Sequence, residues 1–167
     1  MMLKYTICFM ICGSEVLLLN RLKSPNMGLW NGIGGKLEAN ETPLQSIVRE
    51  IKEETGLQVN EQDIEPAGIV RWESEPPSFS SGMYLYRCSL SDKAVQTPAV
   101  VDEGLLMWKP LDWVLNEDNL GVVDNIQHFL PFLLQGECQL EHIFTYNSKD
   151  ELIGYRANQL DPTSRYV

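Results

Sequence analysis

The chain has 167 residues, 44% of them hydrophobic and 22% charged, and carries a formal net charge of −10. The length suits a single domain spanning residues 1–167 with a sizeable buried core. The acidic balance excludes non-specific binding to a nucleic-acid polymer, which needs a basic patch. The longest apolar runs, Ile7 to Cys12 and Val16 to Leu19, fall far short of a membrane span, so no membrane partner is expected. The opening Met1 to Thr6 lacks the basic flank and long apolar stretch of a signal peptide, and a cytoplasmic monomer or homodimer is expected. Cys8, Cys12, Cys88 and Cys138 show no CxxC pairing and lie in apolar, strand-like runs, the pattern of buried free thiols.

In chain order, Leu3 to Cys12 reads as a buried strand, Gly13-Ser14 as a turn and Glu15 to Arg21 as a second strand, together a hairpin. Lys23 to Gly28 is loop by its Pro, Asn and Gly content, and Trp30 to Lys36 then approaches a helix through closely spaced glycines. The helix is predicted over Pro43 to Thr55. Thr42 is its N-cap, Pro43 fits the first helical position, Gln45 completes a capping box and Gly56 stops it. Leu44, Ile47, Val48 and Ile51 follow the spacing of a buried face. Glu65 to Trp72 and Met83 to Leu90 read as strands, with Glu73 to Gly82 between them as a flexible or irregular loop whose closure over a site the sequence leaves open. Leu105 to Lys109 follows as a short strand, Pro110 to Trp113 as a helical turn, and Asn125 to Gln135 as a helix kinked at Pro131. Gln139 to Tyr146 and Leu152 to Gln159 form a terminal hairpin. The expected class is α/β (α+β), with a mixed, largely antiparallel sheet between helices.

The stretch from Gly35 to Leu57 carries the chemistry. Glu50, Glu53 and Glu54 project within one sector of the helix, away from its apolar stripe. A solvated acidic face is the plain explanation, but like charges at these spacings repel, and the helix dipole disfavours anions in the last turn. A hard divalent cation held by oxygens would offset both penalties. It would also reconcile an acidic chain with a phosphate ligand.

The same segment resembles the signature of the Nudix hydrolases: Gly, five residues, Glu, seven residues, Arg-Glu-apolar-x-Glu-Glu-x-Gly-apolar. Gly35, Glu41, Arg49, Glu50, Ile51, Glu53, Glu54, Gly56 and Leu57 fill every specified position. Chance agreement at one start site is on the order of one in a billion. The resemblance implies a Nudix-type α/β/α sandwich. It implies that Glu50, Glu53 and Glu54 coordinate Mg²⁺ or Mn²⁺ with the Gly34 carbonyl, and that one of them or Glu103 activates water. Arg49 would orient Glu41 and the metal-binding carboxylates.

The run Gly28 to Lys36, with Glu103 five residues before Trp108 and the stretch Leu130 to Gln135, is similar to the MutT-type 8-oxo-dGTP diphosphatases within that family. That likeness implies hydrolysis of a purine nucleoside triphosphate, ordinary or oxidised, to the monophosphate and pyrophosphate. The alternatives are a Nudix hydrolase of ADP-ribose, a nucleotide sugar or a dinucleoside polyphosphate, or a non-catalytic nucleotide-binding domain. By analogy Asn31, Asp124 and Asn125 would meet the base and Phe129 would stack on it, while Arg21, Lys23 and Lys36 would meet the phosphates. Each has a plain structural alternative: a turn for Asn31, a helix cap for Asp124 and Asn125, core for Phe129 and ordinary surface charge for the cations. His128 and His142 lack ligand spacing and read as structural, Trp30 as core, and Trp72 and Trp113 as core or rim.

Overall fold

The structure, a computed structural model, describes residues 3–74 and 78–161. Strands β1 (Tyr5–Cys12) and β2 (Glu15–Arg21) form the expected antiparallel hairpin. Their alternation sorts side chains onto two faces, as a strand's period of two requires. Ile7, Phe9, Val16 and Leu18 enter one core, while Cys8, Met10, Leu17 and Leu19 enter the other. Helix α1 (Pro43–Thr55) covers the second face through Ile47 and Ile51, both without exposed surface. Helices α2 (Leu111–Leu115) and α3 (Ile126–Leu134) cover the first, and Pro131 sits inside α3.

The remaining strands are β3 (Trp30–Asn31), β4 (Ile64–Ser74), β5 (Ser78–Ser89), β6 (Ala99–Val101), β7 (Gly104–Pro110), β8 (Leu140–Tyr146) and β9 (Leu152–Gln159). Among the described residues the nine form one sheet, ordered β6-β7-β2-β1-β5-β4-β8-β9, with β3 attached to β2. Only the β1–β5 and β4–β8 pairings are parallel, so the sheet is mixed and largely antiparallel between helical layers, as expected.

Three expectations are corrected. Glu73 to Gly82 is not an irregular loop: Glu73 pairs with Phe79, Ser74 with Ser78 and Trp72 with Ser81, continuing the β4–β5 hairpin. The breakers that suggested a loop, Pro76 and Pro77, fall at residues 75–77, outside the described residues, as does any closure by that tip. Cys138 lies in the turn between α3 and β8 rather than in a strand, and only Cys8 and Cys88 are buried; all four thiols are free. The short strands β3 and β6 were not expected, being too brief to show a period. No helix among the described residues is long and apolar enough to cross a membrane.

The ends of α1 follow their residues. Thr42 Oγ1 accepts from Gln45 N–H at 3.2 Å and Gln45 Oε1 accepts from Thr42 N–H at 3.0 Å, closing the capping box. Gly56, at φ 74°, ends the helix with its N–H donating to Lys52 O at 2.9 Å. Burying Ile47 and Ile51 stabilises α1 by roughly 1.5–3 kcal/mol each, against a few tenths for each repelling carboxylate pair. The apolar face therefore holds the acidic face in place. Thr42→Ala is expected to lower unfolding free energy by about 1 kcal/mol in urea titration, with no loss of the fold in far-UV circular dichroism.

Candidate active site

Arg49 stands at the centre of the acidic helix. Its Nε and Nη2 donate to the two Glu41 oxygens at 2.6 and 3.1 Å, a bidentate pair. Nη1 donates to Glu50 Oε1 at 2.9 Å and to Glu53 Oε2 at 3.1 Å, and Nη2 also reaches Lys36 O at 3.2 Å. One guanidinium thus spans three carboxylates and the glycine-rich approach. This environment holds the Glu41 carboxyl down at about 2, chiefly through the Arg49 hydrogen bond. It raises Arg49 further above its already high value, first through the Glu41 hydrogen bond.

Glu54 lies behind this network and is 6% exposed. Its Oε2 accepts from Gly34 N–H at 3.0 Å. Burial pushes its pKa up to about 8; the Gly34 hydrogen bond opposes this, Glu50 and Glu103 add to it, and Arg21 opposes it. Burial likewise raises Glu50. Glu103 reaches this group from the Asp102-Glu103 turn between β6 and β7, where Val101 pairs with Gly104. Leu22 N–H bonds Glu103 O at 3.0 Å and ties that turn to the end of β2.

The glycine approach fits against both β1 and α1. Thr6 N–H bonds Gly35 O and Cys8 N–H bonds Ile33 O at 2.9 and 2.7 Å. Those two carbonyls face β1, so the intervening Gly34 carbonyl is turned to the other side, where its own N–H meets Glu54. A Cβ on Gly34, at φ 155°, would stand 2.7 Å from Ile7 Cα, and one on Gly35 would stand 2.6 Å from Glu50 Cδ. Gly34 requires glycine, because its clash is with backbone, whereas a side chain at position 35 would displace the Glu50 carboxylate.

Among the described residues, no three His, Cys, Asp or Glu side chains converge as a ready-made metal shell; Arg49 takes up oxygens of Glu50 and Glu53. The donor set still suits a hard divalent cation. Glu50, Glu53, Glu54 and Glu103 offer carboxylate oxygens and Gly34 offers a carbonyl. Glu54 and Glu50 are buried enough that a neighbouring cation would favour their charged forms.

These carboxylates border one large cleft of about 1910 Å³. Arg21, Asn31 and Lys36 line it, and Asp124 and Asn125 line its far end beside Tyr146. Arg21 is fixed by donating Nε–H to Pro25 O at 2.8 Å. Asn31 Oδ1 accepts from Gly32 N–H at 2.9 Å, which realises the turn role and directs the amide donor end elsewhere. Asn125 stands at the N-cap of α3, yet its side chain makes no cap bond.

The cleft's two arms are stitched through Trp30. Its N–H bonds Gly121 O at 2.9 Å and its carbonyl accepts from Val123 N–H at 3.1 Å. Asn31 and Asp124 are thereby held together across a long stretch of chain. Lys109 Nζ lies 4.3 Å from the Trp30 ring and 4.7 Å from the Trp113 ring, so both tryptophans pack a cation at the rim of the core.

Two expected site residues are corrected. Phe129 has no exposed surface and packs edge-on against Phe9 with ring centres 5.6 Å apart, so its apolar helical position is core. Lys23 is exposed on the loop beyond Arg21 and does not line the cleft. In turn, Tyr5, Trp72, Met83, Tyr146 and Asp150 line the cleft without having been singled out for it. Tyr5 and Trp72 lie 5.9 Å apart, ring to ring. Nothing in the local pattern marks Tyr5 or Tyr146, since each sits at a strand end where tertiary pairing alone decides what it faces. His142 is buried, with Nδ1 3.0 Å from Tyr155 Oη, and burial lowers its pKa to about 4; the His128 ring lies 4.8 Å from that of Tyr155, tilted by 39°. Neither histidine lines the cleft.

A model of the NUDIX domain matches residues 2–133, so the chain belongs to that family. It is a Nudix hydrolase, an enzyme acting on pyrophosphate bonds of nucleotide derivatives. It is 28% identical over 160 residues to an uncharacterised Nudix hydrolase of Bacillus subtilis, covering 95% of this chain and 94% of that one. It is 26% identical over 157 residues to the oxidized purine nucleoside triphosphate hydrolase of Mus musculus, covering 94% of this chain and 95% of that one. Among solved structures it matches a mutator MutT protein from Bacillus halodurans with a TM-score of 0.73 and 28% identity, over 94% of this chain and 98% of that one.

The raised Glu54 pKa has a stability consequence for the metal-free protein. Unfolded, the carboxyl ionises near 4.5; folded, it holds its proton up to about 8. The folded state then binds more protons through that window, so this group's contribution falls as pH rises from about 4.5 to about 8. Melting scans without metal are expected to show a lower Tm at pH 8 than at pH 6, and Glu54→Gln is expected to flatten that difference.

Proposed function

We propose that the chain hydrolyses a purine nucleoside triphosphate, ordinary or oxidised as in 8-oxo-dGTP, to the monophosphate and pyrophosphate, clearing damaged nucleotides from the pool. One observation carries this reading: a single cleft runs from Glu50, Glu53, Glu54 and Glu103 to Asn31, Asp124 and Asn125, with Arg21 and Lys36 along its walls. A carboxylate end suits a metal-bound phosphate chain, and an amide and carboxylate end suits a base edge. The name of the mouse relative, matched along almost all of both chains, supports the same reading.

Nudix hydrolases generally use divalent metal ions. Mg²⁺ or Mn²⁺, when bound by Glu50, Glu53, Glu54, Glu103 and the Gly34 carbonyl, would neutralise phosphate charge and acidify a water. The chain's own residues do the rest. Arg21 and Lys36 draw the phosphates into an otherwise acidic cleft. Arg49 keeps Glu41, Glu50 and Glu53 in register. Water attacks a phosphorus, its proton passes to a carboxylate among Glu50, Glu53, Glu54 and Glu103, and pyrophosphate leaves.

Purified protein with Mg²⁺ is expected to release pyrophosphate from purine triphosphates with a higher kcat/KM than it shows on ADP-ribose, a nucleotide sugar or a dinucleoside polyphosphate. Absence of pyrophosphate from every purine triphosphate would sink the reading. Glu53→Gln and Glu54→Gln are each expected to lower kcat by at least about a hundredfold while the protein stays folded. Full activity in both would remove these carboxylates from the chemistry.

A further inference from the structure

Between α2 and α3 the chain runs from Asn116 to Gly121 outside any helix or strand, and side-chain amides hold it in place. Gln127, from α3, donates Nε2–H to Asn116 O at 2.6 Å and to Asn119 O at 3.2 Å. Asn119 donates Nδ2–H to Trp113 O at 2.8 Å, and its Oδ1 accepts from Gly121 N–H at 2.9 Å. Asn116 Oδ1 accepts from Asp118 N–H at 2.9 Å. An amide offers donors and an acceptor together, so these side chains stand in for the backbone ladder that this segment lacks.

The ordered loop carries an apolar side chain to the rim of the cleft. Leu120 is 87% exposed, yet it lines the cleft, as does Leu29. An exposed leucine on its own is ordinary, but this one stands at a defined place. Trp30 N–H bonds Gly121 O at 2.9 Å and Trp30 bridges Val122 in parallel, which sets Leu120 beside the Gly28-Leu29 stretch that leads into β3. Arg21 N–H bonds Leu29 O at 3.2 Å and Leu19 pairs with Asn31, so Leu29 to Asn31 runs alongside β2 from Arg21 to Leu19. Leu120 and Leu29 therefore form an apolar lip beside Arg21, two residues along from Asn31.

We propose that Leu120 is a nucleotide-contacting residue, an apolar lip that packs against the carbon face of the sugar, and that Gln127 is the positioning residue that presents it. This rests on the reading of the cleft as a nucleotide site and adds the wall that meets the sugar. A nucleotide with its base at Asn31 and its phosphates at Arg21 turns its sugar to the stretch between them. The amides and charges of the cleft serve the base and the phosphates. The sugar carbons gain from apolar surface, and covering Leu120 removes that surface from water as the nucleotide binds.

The test is calorimetric binding of dGMP and of inorganic pyrophosphate, with Mg²⁺, to the full chain and to its variants, alongside hydrolysis of dGTP. Leu120→Ala is expected to weaken dGMP binding about fivefold, the scale of one methylene no longer drawn out of water. Its loss in kcat/KM on dGTP is expected to lie in KM. Pyrophosphate, which has no sugar, is expected to bind Leu120→Ala as it binds the wild type, and Tm is expected to stay in place because the side chain is exposed. Leu120→Met, close in volume, is expected to restore dGMP binding. Gln127→Leu, which keeps the bulk and removes the donor, is expected to bind dGMP at least as weakly as Leu120→Ala. Adding Leu120→Ala to Gln127→Leu is expected to cost nothing more, since the loop no longer presents the leucine. Unchanged dGMP affinity in Leu120→Ala would overturn the proposal, and so would an equal loss for dGMP and pyrophosphate. Additive losses in the double variant would remove Gln127 from the positioning role. Weakened dGMP binding by Leu120→Ala, in a protein that hydrolyses no purine triphosphate, would support the lip and overturn the proposed reaction instead.

Discussion

The guanidinium of Arg49 is the interaction on which the site depends. Glu41, Glu50 and Glu53 are like charges brought close by one helix and the segment before it, and one five-donor fork meets all three. The same fork bonds Lys36 O, so the glycine approach is fastened to the helix as the carboxylates are gathered. Arg49 is about a quarter exposed and Glu41 and Glu50 less, which makes these bonds stronger than the exposed ion pairs elsewhere on the surface. A lysine would carry the charge without the fork. With three groups to satisfy in one plane, the shape of the donor matters as much as its sign.

Around this centre the fold supplies position. Alternation along β1 and β2 divides the core, so α1 is seated on one face of the sheet while α3 and the strand ends that shape the far cleft lie on the other. Gly34 and Gly35 let backbone pass between β1 and the carboxylates where a side chain would collide. Trp30 joins the two arms of the cleft by backbone bonds, so the distance from the acidic helix to Asp124 is set by sheet pairing rather than by a loose loop. The outcome is a cleft lined both by the carboxylates of the acidic helix and by the amides of Asn31 and Asn125. That is the shape a nucleotide with a phosphate chain needs, and it agrees with membership of the Nudix family.

Legibility in the sequence followed the range of the interactions involved. Helix α1 could be read to its last residue because its signals are local: Thr42, Pro43 and Gln45 at one end, Gly56 at the other, and an apolar stripe between. The hairpin of β1 and β2 was equally plain from its alternation. The acidic cluster was visible as spacing, although the bonds that make it one unit were not, since Lys36 O and Gly34 N–H join it only through tertiary approach. Where breakers and strand signals competed, at Glu73 to Gly82, two prolines at the tip outweighed residues that in fact pair. Phe129 showed the limit of analogy. Its aromatic ring could stack on a base or on Phe9, and only the position of α3 against the sheet decides for Phe9. Tyr146 was silent for the same reason: its hydrogen bond to Asp124 joins two separate elements.

The central claim is that the fork of Arg49, beyond its charge, organises the carboxylates that receive a metal ion. Its most direct measurement is the Mn²⁺ dissociation constant, read by electron paramagnetic resonance, for the wild type and for Arg49→Lys, which keeps the charge and removes the fork. The account predicts a loss of affinity of about 10-fold to 100-fold in the variant, the scale of losing a partner that orients metal-binding carboxylates. Mn²⁺ binding to Arg49→Lys as tight as to the wild type would contradict it.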